Sequence, residues 1–574
     1  MSTITVSTAI SSRRIQLVSV RQDLLDTAHQ RVLWVASGFA LLALVALARI
    51  AVLGVDQQAP HQSSLQEALL PSRGEIADRN GVPLARAFPA YALWFNPQAL
   101  GDGGAPLVRS PEAIARELHR IFPDMDPARM ATRLRSGKAG YLRRRVLPDD
   151  ANRVQALGEL ALEIPREGDR FYPQGAMAAH VLGYVGADGK GQVGMEAVLD
   201  KRLSDPALRA KPAILSIDIR VQGALEDELR RGMLATNALG AAGIVLDVDT
   251  GEVLALASLP EFNPNRIDEE GASLMFNRVT NQVYELGSTF KPLTIAAAID
   301  RGIVTDLAKR YPASEPIQIG RFSIRDQKPK GATLNVPEAM IYSSNIVTAR
   351  VADELGGKAL KQTMADLGMN ERPYVELPAR GFPIWPKGEW PRLRTLTVSY
   401  GHGIAVTPLH LASAYAAMVN GGIWRPATLH KLEPDEVPRG RRVFKSSTSA
   451  RMRQIMRMIS VYGTGRSADA PGFRVGGKTG SAEKPGVGGY QRSTLVSTFA
   501  AAFPMDKPRY VIVSMLDEPK GTAASSYQRT AAWNAAPIVG KLVPRIGPML
   551  GIQPDESRDI DLTDLRPLVK GSKE

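Results

Sequence analysis

The chain has 574 residues, too many for one ordinary domain, and 44% of them are hydrophobic, enough to build several buried cores. It contains no cysteine, which excludes disulfides, thiolate metal sites and cysteine nucleophiles. The net charge is +13, but its basic runs (residues 143–145 and 439–442) are short and lack interleaved aromatic residues, so we expect no nucleic-acid partner.

The first strong pattern in the chain is an apolar stretch near the N-terminus. Residues 1–31 are polar, whereas residues 32–55 are apolar except for Arg49, whose long side chain can reach the membrane interface. This length is sufficient to cross a bilayer. Arginines precede the stretch, and none follows it until Arg73. We therefore predict a single-pass anchor with a cytoplasmic tail and the remaining chain outside the cytoplasm. A cleaved signal peptide is the alternative, because an Ala-Leu-Ala sequence ends at Ala48.

Residues 56–211 show a second pattern. A polar linker leads to residues 71–81, which end in the turn signal Asn80-Gly81, and short helical patterns alternate with loops over residues 110–160. We assign no chemistry to the charged residues of this region and expect them to hold interfaces. The region is therefore predicted to be a non-catalytic domain.

From residue 212 onward the chain becomes rich in β-type runs. A first pair of runs is joined by a short glycine turn, which predicts a hairpin. A second pair and a helical stretch follow much later. The first pair of runs is residues 243–248 and 252–257, and the second pair is residues 495–503 and 510–516. The helical stretch is residues 530–550. Together they predict an α+β domain over residues 212–550, an antiparallel sheet with helices on its faces. Residues 551–574 form a tail without an interpretable pattern.

One short motif in this domain suggests nucleophilic chemistry. Ser288 and Lys291 fall three apart in the opening turn of a helix predicted over residues 293–301. Residues three apart share a helix face, so the lysine side chain can reach the serine hydroxyl. A serine is a poor nucleophile without a base, and a lysine acts as that base only if its pKa is lowered.

Two further motifs follow in order along the chain. They supply a hydroxyl and an amide before a helical run, and then a cation, a glycine and two hydroxyls in a predicted strand. These residues are Ser343, Asn345, Lys478, Thr479, Gly480 and Ser481. Taken singly, each motif is best explained by a structural role such as a helix cap. Three such motifs in order favour a catalytic interpretation.

A competing motif overlaps the third one. Residues 472–479 satisfy the pattern of a nucleotide-binding P-loop. A P-loop needs a buried strand before it and a helix starting at its Lys-Thr pair. Here loop residues precede it, and Gly480, Pro485 and Gly486 prevent a helix. We therefore reject nucleotide binding and expect neither a cofactor nor a metal.

In this order the three motifs resemble those of penicillin-binding proteins and serine β-lactamases. The chain resembles the class B penicillin-binding proteins from its anchor to about residue 550. Residues 71–81 resemble the Arg-Gly-x-Ile-x-Asp-Arg-x-Gly box that opens the pedestal, or dimerisation-type, domain of that family. The resemblance implies the penicillin-binding/transpeptidase fold, with Lys478 on the strand that borders the catalytic cleft.

The resemblance also implies a mechanism. Ser288 would attack a D-alanyl-D-alanine stem peptide, or a β-lactam, and form an acyl-enzyme that the amine of a second stem peptide resolves. Lys291 would be the base, with its pKa lowered by burial and by Lys478, and Ser343 would relay a proton to the leaving amine. Substrate contacts are implied for Asn345, Lys478, Thr479, Gly480 and Ser481.

Several stretches are similar to the septal, FtsI-type members of this family, notably residues 284–292, 399–403 and 516–519. That similarity implies a location in the inner membrane at the division septum, with the polymerase FtsW and other division proteins as partners. The alternatives are an elongation-specific transpeptidase, a membrane-anchored serine β-lactamase or a β-lactam sensor. The sequence shows no base for deacylating water, which a β-lactamase needs, and only a short tail for cytoplasmic signalling.

Overall fold

The structure is a computed structural model that describes residues 25, 27–49, 71–99, 107–186, 188–267, 269–328, 330–486 and 489–569. The chain divides into two compact units, residues 1–70 and 71–574. In the first unit, helix α1 (Thr27–Arg49) has 23 residues and a mean hydropathy of 2.0, so it is long and apolar enough to cross a membrane. The remainder of the predicted anchor, residues 50–55, lies outside the described residues.

The first part of the second unit is built on a six-stranded sheet. Its strands are β1 (Ile76–Ala77), β2 (Pro83–Phe95), β3 (Gly140–Val146), β4 (Leu162–Glu163), β5 (Arg166–Phe171) and β8 (Ala213–Ile214), with a separate hairpin of β6 (Tyr184–Val185) and β7 (Gly191–Val193). Its helices are α2 (Pro111–Ile121), α3 (Pro127–Arg135), α4 (Pro148–Gln155), α5 (Ala179–Leu182), α6 (Gly194–Val198) and α7 (Asp200–Ser204). Leu93 and Phe95 of β2 pack against Ile114 and Leu118 of α2 in a core of their own.

The second part of this unit contains a five-stranded sheet and most of the helices. The sheet strands are β9 (Gly240–Asp247), β10 (Val253–Leu259), β17 (Gly476–Gly486), β18 (Gly489–Phe503) and β19 (Tyr510–Asp517). Short two-stranded pairs are β11 (Tyr311–Pro312) with β14 (Thr333–Leu334), β12 (Ile317–Ile319) with β13 (Phe322–Ile324), and β15 (Ile423–Trp424) with β16 (Arg441–Arg442). The helices are α8 (Ile219–Ala235), α9 (Glu269–Ser273), α10 (Lys291–Asp300), α11 (Val336–Tyr342), α12 (Asn345–Leu355), α13 (Gly357–Asp366), α14 (Arg392–Ser399), α15 (Pro408–Val419), α16 (Ser446–Tyr462) and α17 (Ala535–Met549).

The five-stranded sheet is antiparallel throughout, in the order β10-β9-β19-β18-β17, and helices cover both of its faces. Val511, Val513 and Met515 of β19 face a core that includes α10 and α15, whereas Ile512 and Leu516 face one that includes α8 and α17. Successive strand residues point to opposite faces, so two covered faces require the continuous apolar run seen in the sequence. The predicted α+β architecture is confirmed.

Charged residues of segment 71–81 make structural contacts, as the sequence predicted. Arg73 Nε donates to Glu196 Oε2 at 2.9 Å, and Glu196 is fully buried. Asn80 donates from its backbone to Asp78 Oδ1 at 2.8 Å and from its side chain to Asp218 Oδ2 at 3.1 Å. Asp218 is the N-cap of α8, so this segment ties the two parts of the unit together.

The chain after α17 packs on the second part, although its sequence showed no interpretable pattern. Leu562, Leu565 and Val569 are buried in the core that also contains α11. Asn335, the N-cap of α11, donates from Nδ2 to Leu568 O at 2.6 Å. The C-terminal segment therefore contacts the start of the helix whose last turn leads to Ser343.

Candidate active site

Ser288 lies in a 3-10 turn, Gly287–Phe290, that leads directly into α10. The sequence had placed it in the first turn of the helix itself. Gly287 has a φ of 55°, the left-handed region that glycine adopts at little cost. Pro292 is tolerated at the helix start because the first N–H groups have no intrahelical acceptor. The turn leaves Ser288 half-buried on the wall of a cavity of about 320 Å³.

Strand β17 is the edge strand of the five-stranded sheet, and the Ser288 turn packs against it. The closest approach is at Gly480. A Cβ added there would lie 2.4 Å from the backbone oxygen of Leu286 and 2.8 Å from Thr289 Cγ2. The glycine of the third motif therefore permits the contact that holds Ser288 next to the strand of Lys478.

Replacing Gly480 by alanine should separate the turn from the strand, because its added methyl group meets backbone rather than a flexible side chain. We expect a fall of roughly tenfold or more in the rate of acylation by a labelled penicillin, together with a lower melting temperature. Gly223→Ala is the matched control, since the added Cβ would meet only the end of the Met177 side chain at 3.3 Å. Equal acylation rates for the two variants would contradict this role of Gly480.

Two lysines from different motifs converge on the hydroxyl of Ser343. Lys291 Nζ lies 3.1 Å from Ser343 Oγ, and Lys478 Nζ lies 2.9 Å from the same atom. Both lysines are fully buried. Ser343 itself follows α11 with a φ of 61°, a left-handed conformation uncommon for a serine. The structure thus joins the three motifs through one hydroxyl.

The partner of Lys291 differs from the one that helix spacing suggested. Among the described residues, the hydrogen bonds of its ammonium go to Ser343 Oγ and to the Ser343 backbone oxygen, and none joins it to Ser288. Ser288 lies in the 3-10 turn that precedes α10, and the Lys291 ammonium is turned toward the end of α11, where Ser343 lies. Both serines nevertheless line the same cavity.

Burial controls the charge of both lysines. It lowers the pKa of Lys291 from 10.5 to about 7, while the carboxylate of Asp326 opposes the shift. Burial, together with repulsion from Lys291, lowers the pKa of Lys478 well below its ordinary value. The sequence had predicted a lowered pKa for Lys291. Burial therefore favours the uncharged form of both amines, and an uncharged amine can accept a proton.

The second motif is held by an acidic residue that sequence reasoning missed. Asp326 accepts hydrogen bonds from Ser344 Oγ at 2.6 Å and from Ile346 N at 3.1 Å, which fixes the start of α12. The helix cap is Ser344, not Ser343 or Asn345. Asn345 lines the cavity, and its Nδ2 donates to Arg325 O at 3.0 Å. No local signal marked Asp326, which comes from a preceding loop.

The hydroxyls of the third motif lie on the opposite wall. Thr479 Oγ1 is 2.8 Å from Thr464 Oγ1, and Ser481 Oγ accepts from Ala531 N at 3.0 Å. Thr464 follows α16 in a Gly-Thr-Gly loop and was also missed, because a threonine between glycines has many structural uses. Thr464, Thr479 and Ser481 all line the cavity. They place three hydroxyl groups in position to bind an anionic substrate group.

His402 lines the same cavity without the properties of a proton acceptor. Its ring packs edge-on against Tyr400, with 5.3 Å between the centroids. Burial and repulsion from Lys291 lower the pKa of His402 to about 4. A histidine with so low a pKa is a weak base at neutral pH. We therefore interpret His402 as a wall of the cleft.

The structure also excludes the overlapping P-loop. Lys478 and Thr479 lie within β17, which continues to Gly486, so no helix begins at the Lys-Thr pair. Lys478 Nζ points to Ser343 and to the backbone oxygen of Thr479. A P-loop lysine instead precedes a helix whose N-terminus holds the phosphates. The strand predicted at this motif, in place of a helix, is confirmed.

Comparison with known proteins gives consistent matches. The sequence model of the penicillin-binding protein transpeptidase domain matches residues 241–539, and that of the penicillin-binding protein dimerisation domain matches residues 68–205. The chain is 39% identical over 496 residues to a probable peptidoglycan D,D-transpeptidase FtsI of Caulobacter vibrioides, covering 84% of this chain and 82% of the relative. It is 31% identical over 509 residues to peptidoglycan D,D-transpeptidase FtsI of Escherichia coli K12, covering 84% of each. Its fold is similar to that of penicillin-binding protein 3 from Mycobacterium tuberculosis complexed with aztreonam (TM-score 0.65, 24% identity, 86% of this chain and 99% of the other).

Proposed function

The chain belongs to the class B penicillin-binding proteins, in the peptidoglycan D,D-transpeptidase family, and we propose that it cross-links stem peptides at the division septum through an acyl ester on Ser288. The observation that carries this proposal is the convergence of Lys291 and Lys478 on Ser343 Oγ, in the cavity that Ser288 lines. This arrangement supplies a nucleophile, a neutral amine and a proton relay within one cleft.

The acylation step begins with Ser288 Oγ attacking the carbonyl carbon of the penultimate D-alanine. The serine proton passes to the uncharged amine of Lys291, and the carbonyl oxygen becomes an oxyanion. The backbone N–H groups of Ser288 and Ser481 bind that oxyanion, an interaction that contributes on the order of 3 kcal/mol per donor in enzymes of this kind. The tetrahedral intermediate collapses when the C–N bond to the terminal D-alanine breaks.

The leaving amine needs a proton, and Ser343 is placed to deliver it. Its hydroxyl lies within hydrogen-bond distance of Lys291 Nζ and Lys478 Nζ, so a proton taken from Ser288 can move along this chain. The amine of a second stem peptide then attacks the ester and returns Ser288 to its free form. A β-lactam reacts at the same serine by opening its ring.

Substrate binding follows from the position of β17. Among the described residues no strand pairs with its outer edge, so an extended peptide can pair there and lie along the strand with its carbonyl over Ser288. The terminal carboxylate then meets the hydroxyls of Thr479 and Ser481 and the charge of Lys478. Asn345 orients the amide of the donor peptide from the other wall of the cavity. Gly480 allows β17 to lie close to the Ser288 turn.

The cellular part of the proposal is a location at the septum. We infer that α1 anchors the chain once in the inner membrane, with residues 1–31 in the cytoplasm and the catalytic domain in the periplasm. The FtsI relatives support this location, and a pedestal domain without chemistry fits a role in contacting the polymerase FtsW and other division proteins. Tethering would keep the cross-linking site near freshly made glycan strands.

Depletion in the native cell tests the septal assignment. We expect filaments with unfinished septa, because cross-linking would fail only where the division wall is built. Expression of the wild-type chain should restore division, and expression of the Ser288→Ala variant should not. Rounded cells that divide normally would instead assign the chain to elongation and leave the transpeptidase chemistry unchanged.

A further inference from the structure

A groove far from the three motifs lies where the two parts of the second unit meet. It has a volume of about 760 Å³, and the elements around it are β3, β5, the β6–β7 hairpin and the loop at residues 264–267. Among the described residues, six arginines line it: Arg73, Arg144, Arg145, Arg166, Arg170 and Arg266. The basic run at residues 143–145, interpreted from sequence as solvated surface, contributes two of these six.

A β-bulge brings Arg144 and Arg145, two of the three residues of that run, to the groove. Tyr91 of β2 pairs with Val146, and Leu93 pairs with Arg143, so Arg144 and Arg145 stand opposite a single residue of β2. In a regular strand two successive side chains would point to opposite faces. Arg145 has a φ of 61°, a left-handed conformation that is uncommon outside glycine, and bulges of this kind re-aim side chains. The backbone thus departs from regular geometry where the two guanidinium groups meet the groove.

Part of this charge is already neutralised. Arg145 Nε contacts Asp169 Oδ1 at 2.8 Å, and Arg73 and Arg170 share the buried carboxylate of Glu196. Two of the arginines can still bind an anionic group. Arg166 is exposed and, among the described residues, has no ionic partner. Arg170 is only 5% exposed, and its Nη2 is buried without a hydrogen-bond acceptor in the described part of the chain.

We propose that this groove binds an acidic segment of a partner protein through its carboxylates. Guanidinium groups pair with carboxylates in a two-point geometry, and arginine together with tyrosine is enriched where proteins meet. The groove wall also exposes Tyr141 (49%) and Ile267 (37%), apolar surface that a polypeptide segment can cover and an inorganic anion cannot. The proposal is independent of the chemistry assigned to Ser288.

The binding segment would also touch both parts of the unit. Asn265, from the loop after β10, exchanges two hydrogen bonds of 2.9 Å with the backbone of Tyr172 and accepts one from Arg145. A ligand in the groove therefore contacts the pedestal strands and a loop that follows the catalytic sheet. Binding there would hold the two parts in their observed arrangement.

The test is fluorescence anisotropy with the full chain in detergent and a fluorescein-labelled peptide of alternating glutamate and alanine. The Arg144→Glu/Arg166→Glu double variant should raise the Kd about tenfold or more, because like charges then face the ligand. The control double variant, Arg116→Glu/Arg129→Glu, makes the same change of charge on exposed positions of α2 and α3 and should change the Kd less than about twofold. Labelling by penicillin should be equal in all three proteins, which shows that they are folded.

Three outcomes would overturn the proposal. The first is binding of a glutamine–alanine peptide as tightly as the acidic one. The second is an equal loss in both double variants, which would indicate attraction by net charge alone. The third is displacement of the peptide by pyrophosphate at concentrations where acetate has no effect, which would assign the groove to a phosphate-bearing ligand.

Discussion

Replacing Ser288 by alanine should abolish covalent labelling of the chain by a fluorescent penicillin, a loss of about three orders of magnitude or more. The alanine lacks the oxygen that would form the ester. Ser288 is half-buried on the cavity wall, and its side chain is not part of the hydrophobic core, so the melting temperature should change little. Gel fluorescence and peptide mapping by mass spectrometry measure the result.

Ser343 provides the discriminating control for this prediction, because its hydroxyl lies within hydrogen-bond distance of both lysines. Ser343→Ala should slow acylation and leave the label on Ser288. A label mapped to Ser343 in the wild-type chain, or labelling that survives in Ser288→Ala, would reverse the roles of the two serines. The exposed Ser136, remote from the cavity, serves as a neutral alanine substitution.

The lifetime of the ester separates a transpeptidase from a β-lactamase. Deacylation by water needs a base positioned beside the acyl group. Of the described residues that line the cavity, Asp326 is the only carboxylate, and it is engaged with Ser344 and the start of α12. The penicilloyl ester should therefore persist far longer than it takes to form. Rapid turnover of a chromogenic cephalosporin would favour the β-lactamase alternative.

The features that the sequence predicted correctly depend on local pattern. Strands β18 and β19 appear as apolar runs because both faces of the sheet are covered, and the turn before α10 is marked by Gly287 and Pro292. The order of the three motifs predicted a shared cleft, and Ser343, Lys291 and Lys478 do lie together there. In each case the signal is contained in a few consecutive residues.

The features that the sequence did not reveal depend on contacts between distant segments. Asp326 meets the start of α12 from a separate loop, and Leu568 reaches Asn335 across 233 residues of chain. The parallel pairing of β8 with β1 likewise joins residues far apart in sequence. The hydrogen bond of Lys291 to Ser343 rather than Ser288 depends on how α10 and α11 pack. Local periodicity carries no information about such pairs.

Lys291→Ala should lower the rate of acylation by about two to four orders of magnitude, the usual contribution of a general base. In the wild-type chain that rate should rise with pH through about 7 and level off above it. The sign follows from the lowered pKa of Lys291: below about pH 7 the amine is protonated and cannot accept the serine proton, whereas above it the amine is neutral. Stopped-flow acylation across this pH range measures both the rate and the midpoint.

A substitution of Lys478 tests whether Lys291 is the base whose titration sets the pH dependence of acylation. In Lys478→Ala water can enter the space that the side chain leaves, which weakens the burial that lowers the pKa of Lys291 and so favours its charged form. The midpoint of the pH profile should therefore move upward from about 7 in that variant. In Lys330→Ala, which removes an exposed cation from the cavity mouth, the midpoint should stay near its wild-type value. If instead the rise with pH persists in Lys291→Ala and disappears in Lys478→Ala, then Lys478 rather than Lys291 is the base that activates Ser288.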